Sequence, residues 1–381
     1  MDCRDSSNRG KPLIIIGASA RAAAQSATRR GRLPLPIDLF ADADLCQDTP
    51  TCMRVPADLY PGDLPDMAQT VPPTSFVITG GLENRPDIVQ AIEARHHNEG
   101  TLARDLEPVR DPWQVRAVLT EVDMQTPDLA ATCPDLRDGQ RWLRKPRGGC
   151  GGRDIRPASV TDADDAPETQ SVYFQEFVPG QPCSAVYERH RDRVELLGVT
   201  EQIVGETALG ARPFAYCGSV GPLDLDQASR HAFERIGKAL AESFRLRGLF
   251  GVDAILRDGV PVPIEVNPRY TASVEVLEIA REQSGSFAKL GKAVLFAREE
   301  TQVVDDLLPE RLRCGSRDRA GRLGLADIPA PGTRVDEGHP ILTCFASAET
   351  ADRCRQLLLE YARDLYERLE LRTTPRKEQT S

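Results

Sequence analysis

Short apolar runs alternate with amphipathic stretches over the first third of the chain. The runs at 13–16, 36–40 and 74–79 are rich in Ile, Leu, Val and Phe, and each is followed by small or acidic residues. Apolar positions at helical spacing follow the first and third runs, at about 21–30 and 85–95. Strand, turn and helix in this order predict a parallel sheet with helices on its faces. We therefore expect a Rossmann-like α/β domain at this end of the chain.

From residue 172 the pattern changes to longer strand-like stretches. Strands are expected at 172–178, 184–190, 193–200, 249–256 and 260–266. Asp258-Gly259, between the last two, is a strong hairpin signal. Apolar positions at helical spacing predict helices at 104–128, 226–246, 273–282 and 286–300.

The last part of the chain has a third pattern. Residues 323–345 combine Pro, Gly and short apolar runs, which indicates a small β-unit, and 348–371 form a charged amphipathic helix. The fold class is therefore α/β combined with α+β. We expect three domains: a Rossmann-like domain over 1–103, an α+β region over 104–305, and the β-unit with its helix over 306–381.

Composition narrows the function classes. Basic residues number 48 and acidic residues 58, which gives a net charge of −10, and aromatic residues are only 5%. This argues against a nucleic-acid partner. No apolar run reaches the roughly 18 residues of a membrane span, and no signal peptide is recognised. We expect a cytoplasmic protein whose ten cysteines, which show no C-x-x-C spacing, are mostly reduced structural thiols.

The first segment that could carry chemistry places a lysine before a glycine-rich loop. It reads Leu143-Arg144-Lys145-Pro146-Arg147-Gly148-Gly149-Cys150-Gly151-Gly152. Glycines let backbone N–H groups approach phosphate oxygens, and Lys145 supplies a positive charge. The order differs from that of the P-loop, in which the lysine follows the glycines. The alternative interpretation is a flexible surface loop.

The second segment is a strand that ends at a Pro-Gly turn. It reads Phe174-Gln175-Glu176-Phe177-Val178-Pro179-Gly180. Exposed backbone at such a strand end can pair with the edge of a planar base. By itself, an ordinary strand end is the simpler interpretation.

The third segment joins Gly251-Val252-Asp253-Ala254 to Ile264-Glu265-Val266-Asn267-Pro268-Arg269 through the hairpin. Glu265 and Asn267 share one face of a strand, and the hairpin can bring Asp253 beside them. Two carboxylates and an amide oxygen suit Mg²⁺ and leave room for phosphate and water ligands. Arg269 would stabilise negative charge that develops on the ligand. A salt-bridge network is the alternative.

In this order, the three segments resemble the ATP-grasp superfamily over about residues 104–300. The resemblance implies two α+β subdomains that hold ATP between them, preceded by a Rossmann-like domain. It also implies a reaction in which a substrate carboxylate attacks the γ-phosphate, giving an acyl phosphate and ADP, and an amine then displaces phosphate to form an amide. Such chemistry needs positioning and charge neutralisation rather than a protein nucleophile.

The resemblance also assigns roles to residues, and it implies a small-molecule carboxylate and an amine as substrates, with a homodimer left open. Mn²⁺ is expected to substitute for Mg²⁺. The implied roles are catalysis by Arg269 and Lys145, phosphate binding by Lys145, Gly148, Gly149, Gly151 and Gly152, adenine binding by Gln175, Glu176, Phe177 and Val178, and metal binding by Asp253, Glu265 and Asn267.

The chain departs from the family pattern at two places. Many members of the family have a glutamate that contacts the ribose shortly after the glycine that corresponds to Gly180. Residues 181–184 of this chain contain no acid. Ser273 stands four residues after Arg269, at a position where the biotin-carboxylase branch has a glutamate. The absence of this glutamate argues against a bicarbonate-dependent carboxylase. Glu275 is the nearby acid that could approach the substrate instead.

Residues 214–222 are rich in glycine and aromatic residues. They resemble a stretch in the branch that contains tyramine–glutamate ligase of methanofuran biosynthesis and related ligases of one-carbon-carrier cofactors, of the methanofuran or tetrahydromethanopterin type. The resemblance implies that this stretch forms a wall of the acceptor site; a structured loop is the alternative.

Two other functions stay open at this point. A nucleotide-binding regulatory protein without turnover is favoured by the missing ribose acid. A nicotinamide-dependent oxidoreductase would use the turn Gly17-Ala18-Ser19-Ala20, but the G-x-G-x-x-G pattern is absent there.

Overall fold

The computed structural model describes residues 9–134, 140–159, 172–282, 289–304, 306–312 and 321–370. A five-stranded parallel sheet opens the chain, in the order β3-β2-β1-β4-β5. Its elements are β1 (Pro12–Gly17), α1 (Arg21–Arg29), β2 (Leu33–Asp38), α2 (Ala43–Asp48), β3 (Met53–Arg54), α3 (Leu64–Gln69), β4 (Ser75–Ile78), α4 (Pro86–Glu93) and β5 (His97–Asn98). Ile14, Ile15 and Ile16 are fully buried, because helices cover both faces of such a sheet. The predicted Rossmann-like domain is confirmed.

A small antiparallel sheet of four strands follows, in the order β6-β9-β7-β8. Its elements, with the two helices before it, are α5 (Ala103–Arg110), α6 (Pro112–Glu121), β6 (Leu129–Ala130), β7 (Trp142–Pro146), β8 (Arg156–Pro157) and β9 (Val172–Glu176). The helical stretch expected over 104–128 consists of two helices, α5 and α6, which are separated at Asp111 and end at Glu121. A residue before proline avoids helical geometry, and the Asp111 side chain accepts hydrogen bonds from Trp113 N and Gln114 N to begin α6.

The rest of the chain is built on an eight-stranded antiparallel sheet in the order β14-β13-β10-β11-β12-β15-β19-β17, with β16 and β18 paired separately. The elements are β10 (Gln181–His190), β11 (Arg193–Val204), β12 (Tyr216–Gly221), α7 (Gln227–Ser243), β13 (Gly248–Arg257), β14 (Val260–Asn267), α8 (Ala272–Glu282), β15 (Lys289–Phe296), β16 (Thr301–Gln302), β17 (Arg322–Ala326), β18 (Arg334–Val335), β19 (Pro340–Ala348) and α9 (Ala351–Glu370).

The helix expected over 286–300 is wrong. Residues 286–288 lie outside the described residues, and Lys289–Phe296 is strand β15 between β12 and β19. Six of the eight residues of β15 are buried, because α8 packs beside the strand and α9 packs against it. A strand buried on both faces lacks the alternating pattern that would have distinguished it from a helix.

Strands of the C-terminal region continue the large sheet. β19 pairs with β15, and β17 pairs with β19. The expected β-unit therefore shares a sheet with the preceding region, while the division into three domains stays a prediction.

Among the described residues, Cys46 and Cys52 form a disulfide and six cysteines are free. The expectation is of mostly reduced thiols, and this pair is the exception among the described residues. The disulfide joins Cys46 of α2 to Cys52, which immediately precedes β3. No helix of the described residues is long and apolar enough to cross a membrane.

Candidate active site

A cleft lies between the four-stranded sheet and the β14 edge of the large sheet. Its volume is about 700 Å³, including the part open to solvent. Apolar walls come from both sides, for example from Leu129 and Ile264. The polar lining residues include Arg110, Lys145, Arg147, Gln175 and Glu265.

Lys145 is held inside this cleft by β7. The strand pairs with β9 and places Lys145 opposite Tyr173. The ammonium nitrogen lies 3.2 Å from Gln175 Oε1 and 3.5 Å from the Ile264 carbonyl oxygen, and only 5% of the residue is exposed. A buried cation that donates to neutral oxygens is well placed to take an anionic ligand.

The strand end predicted to bind adenine lies at the rim of the same cleft. Gln175 lines it, and β9 ends one residue later. The Glu176 N–H donates to the Asp128 carbonyl, and the Phe177 N–H donates to the Arg141 carbonyl. Contact of Glu176 with a base would therefore use its carbonyl oxygen. Val178 is buried.

The β13–β14 hairpin brings the predicted metal ligands together. Asp253 pairs with Glu265 and Gly251 pairs with Asn267, so the three polar side chains are neighbours. Asp253 Oδ2 accepts a hydrogen bond of 3.0 Å from Asn267 Nδ2, and Oδ1 accepts one of 3.0 Å from Gln202 Nε2. Burial, and then the negative charge of Glu265, raise the pKa of Asp253 to about 6.

These residues fit a magnesium ion. The two carboxylates repel each other, and a cation between them would relieve that repulsion. The described residues contain no cluster of three His, Cys, Asp or Glu side chains that would enclose a metal. Asp253, Glu265 and the Asn267 amide oxygen would be the residues that hold Mg²⁺, with places left for phosphate and water, as this ion prefers.

Arg110 is a site residue that the sequence analysis missed. Its guanidinium donates to Glu265 Oε1 at 2.7 Å, to the Val266 carbonyl at 2.9 Å and to the Gly149 carbonyl at 3.0 Å. Burial alone would raise the pKa of Glu265, but Arg110, followed by Lys145, holds it below its ordinary value. Arg110 thus keeps a metal ligand ionised and ties it to the glycine-rich loop.

The glycine-rich loop lies against two distant parts of the chain. The Gly148 and Gly149 carbonyls accept from Asn84 Nδ2 at 3.1 and 3.4 Å. The Gly151 carbonyl accepts from Tyr216 N at 3.1 Å. At Gly152, φ is +77° and a Cβ would stand 1.9 Å from the Phe214 carbonyl oxygen, so glycine is required there. The segment 214–222 therefore borders the loop.

Arg269 connects this cluster to the N-terminal sheet. Its Nη2 donates to Asn267 Oδ1 at 3.2 Å, and both Nε and Nη2 lie 2.8 Å from Glu83 Oε1. The side chain of Glu83 is fully buried, and that of Arg269 is 11% exposed. The sequence analysis did not identify Glu83 either, because this residue follows β4 in the N-terminal domain and lies outside the three segments that resemble the family.

Glu275, expected as an acid that approaches the substrate, has another position. It is fully buried and paired with Arg21 and Lys292. The structure therefore places it in a buried ion cluster between α1, α8 and β15, and the expected approach to the substrate is wrong.

Comparisons with known proteins agree with this architecture. Residues 109–273 match the family described as the ATP-grasp domain. The fold is similar to the crystal structures of L-amino acid ligase from Bacillus licheniformis (TM-score 0.63, 15% identity, 93% of this chain and 98% of that one), and of N5-carboxyaminoimidazole ribonucleotide synthetase from Thermotoga maritima (TM-score 0.63, 14% identity, 93% and 98%). It is also similar to biotin carboxylase from Campylobacter jejuni (TM-score 0.67, 12% identity, 92% and 90%).

A curated relative, an uncharacterised protein of Methanocaldococcus jannaschii, is 26% identical over 128 residues, which cover 30% of each chain. The chain thus matches less than a third of that relative's length. The protein has a mixed α/β fold in which a parallel N-terminal sheet precedes a region that matches the ATP-grasp domain.

We predict that Lys145→Ala raises the KM for ATP by roughly 10- to 100-fold, because a charge-assisted contact to phosphate is lost. The measurement is an ATP titration of ADP release or of nucleotide binding. Lys238→Ala, at an exposed position of α7, is the control and should leave the KM unchanged. An unaltered ATP requirement in Lys145→Ala would remove Lys145 from the site.

Proposed function

We propose that the protein is an ATP- and Mg²⁺-dependent ligase that joins a carboxylate to an amine through an acyl phosphate. The observation that carries the proposal is that Glu265 and the buried Lys145 line one cleft. Asp253 and Asn267 lie beside Glu265, and Arg269 contacts Asn267. Phosphoryl transfer needs this kind of charged cradle more than it needs a protein nucleophile.

Each side chain has a task that follows from its position. Lys145 would bind phosphate oxygens of ATP, and the loop glycines would cover them. Bound Mg²⁺ would neutralise negative charge on the phosphates. Arg269, beside Asn267 at 3.2 Å, would steady the phosphoryl group as the substrate carboxylate attacks it and ADP leaves. The amine would then attack the acyl carbon and release phosphate.

The surroundings of Ser273 favour a reaction with an amine over a bicarbonate-dependent reaction. Its hydroxyl accepts from Thr200 Oγ1 at 2.8 Å, and the residue is 2% exposed. A buried hydroxyl engaged in this way offers no base at the position where the biotin-carboxylase branch has a glutamate.

The product class is a narrower part of the proposal. The similarity of residues 214–222 to ligases of one-carbon-carrier cofactors supports a role in making a methanofuran- or tetrahydromethanopterin-type cofactor, and the contact of Tyr216 with the glycine-rich loop supports a place near the acceptor. The cytoplasmic location, the substitution of Mn²⁺ and a homodimer stay predictions.

The test is ADP release from Mg·ATP with a panel of carboxylate and amine pairs, followed by intact-mass detection of products. The panel includes glutamate with tyramine-like amines and with pterin-type acids. A product whose mass equals the sum of both partners less water supports the ligase. Binding of ATP without consumption, across the whole panel, would favour the regulatory alternative.

A further inference from the structure

The carboxyl edge of the N-terminal sheet faces the cluster around Arg269. β4 ends at Ile78, and residues 79–83 follow at this edge, where α/β sheets commonly bind ligands. The contact is close, since a Cβ at Gly80 would stand 3.6 Å from the guanidinium carbon of Arg269. This edge is thus a second wall beside the proposed phosphoryl-transfer site.

Several polar atoms on this wall have no hydrogen-bond partner among the residues that the structure describes. They are Glu83 Oε2, Thr79 Oγ1 and Tyr60 Oη. Thr79 and Glu83 are 2% and 1% exposed. Buried polar atoms are nearly always paired in folded proteins, so a group of unpaired ones beside a reactive centre indicates a bound molecule.

The two carboxylate oxygens of Glu83 have different surroundings. Its Oε1 accepts both hydrogen bonds from Arg269, at 2.8 Å each. The other oxygen carries negative charge and has no donor. An anionic group would be repelled by it, whereas an N–H group would satisfy it.

The hydroxyls nearby complete a polar lining. A Cβ at Gly81 would stand 3.5 Å from Tyr60 Oη. Burial, and then the charge of Glu83, raise the pKa of Tyr60 to about 12, so this hydroxyl keeps its proton and can donate or accept.

We propose that this edge binds the amine substrate, with Glu83 Oε2 accepting a hydrogen bond from its nitrogen and Thr79 and Tyr60 contacting its polar groups. The proposal rests on the proposed function and names the residues that select the nucleophile. The amine nitrogen forms the new C–N bond, and the acyl C–O bond breaks with its electrons leaving on phosphate. The proton that nitrogen loses passes to Glu83.

Hydroxylamine separates this role from a structural one. It is a small, largely uncharged nucleophile at neutral pH, and it traps acyl phosphates as hydroxamates without an amine-binding pocket. Glu83→Gln keeps an oxygen that can accept from Arg269 but replaces the free oxygen with an NH₂ donor. We expect amide formation to fall by 10-fold or more beyond any fall in hydroxamate formation, with the loss concentrated in the KM for the amine.

The measurement compares hydroxylamine with the twenty L-amino acids and tyramine as amines, over a panel of carboxylates. Glu107→Gln, at an exposed position of α5, is the control. Thr79→Val removes one hydroxyl at constant shape and should also raise the KM for the amine. This second variant keeps the test possible if Glu83→Gln does not fold. Parallel loss of both products in Glu83→Gln, or an unchanged amine KM in either variant, would overturn the assignment. Absence of both products from the unaltered protein would instead overturn the proposed function.

Discussion

Glu265→Gln should reduce carboxylate-dependent ADP formation at least about a hundredfold, because charge neutralisation by a bound metal contributes several kcal/mol to phosphoryl transfer. The substitution keeps the volume and one oxygen but removes the charge that faces Asp253 across the hairpin. The Mg²⁺ concentration needed for half-maximal rate should rise in parallel. The measurement is the initial rate as a function of Mg²⁺ at saturating ATP.

The fold should survive this change. The Glu265 side chain is 31% exposed, and glutamine keeps one oxygen that can accept the hydrogen bond from Arg110. Arg110 also keeps the Val266 and Gly149 carbonyls as acceptors. Glu121→Gln, at an exposed position of α6, is the matched control. An unfolded Glu265→Gln protein, or one with unaltered dependence on Mg²⁺, would show that Glu265 is structural.

Local patterns were sufficient for much of the candidate site. The two-residue spacing of Glu265 and Asn267 places them on one strand face. The Asp258-Gly259 turn pairs Ala254 with Pro263, and a register shift between Asp253 and Ala254 then brings Asp253 opposite Glu265. Lys145 precedes its glycines on a strand that contacts this hairpin through the Ile264 carbonyl. The spacing and the turn depend on short-range geometry, which a sequence displays directly, whereas the register shift and the contact of Lys145 with Ile264 do not.

Contacts between distant segments were not predictable in the same way. Arg110 meets Glu265 across 155 residues, and Glu83 meets Arg269 across 186. Neither residue has neighbours in sequence that indicate a site, and both positions depend on how the N-terminal sheet packs on the hairpin. A weak signal did exist for Arg110, since Asp111-Pro112 ends α5 and leaves this arginine at the end of its helix.

The prediction of a helix over 286–300, where the structure has the strand Lys289–Phe296, was wrong for a related reason. Its period was read from the chain alone, while its burial comes from α8, α9 and two flanking strands. Burial on both faces therefore hides the alternating pattern of this strand. The same packing places Glu275 in a buried ion cluster, where it does not make the expected contact with the substrate.

Glu275→Gln should lower the free energy of unfolding by about 3–5 kcal/mol at neutral pH, because it removes one partner from a buried ion cluster. Glu275 accepts from Arg21 Nη1, and its Oε2 accepts from Lys292 Nζ at 2.9 Å. Arg21 retains Asp327, with a separation of 2.9 Å. Lys292, which is 5% exposed, loses the only charged partner it has among the described residues. The measurement is urea unfolding at pH 7.

The pH dependence gives this prediction a second, independent readout. Burial alone would raise the pKa of Glu275, but Arg21 and then Lys292 lower it to about 2. A carboxyl group with a lowered pKa stabilises the fold above its unfolded value, about 4.5, and loses that contribution as the pH falls toward 2. The difference between the unaltered protein and Glu275→Gln should therefore shrink below pH 4.5. Glu282→Gln, on the same helix with a side chain 40% exposed and 3.4 Å from Arg29, should cost about 1 kcal/mol or less. Equal losses in the two variants would mean that the cluster does not hold α1, α8 and β15 together.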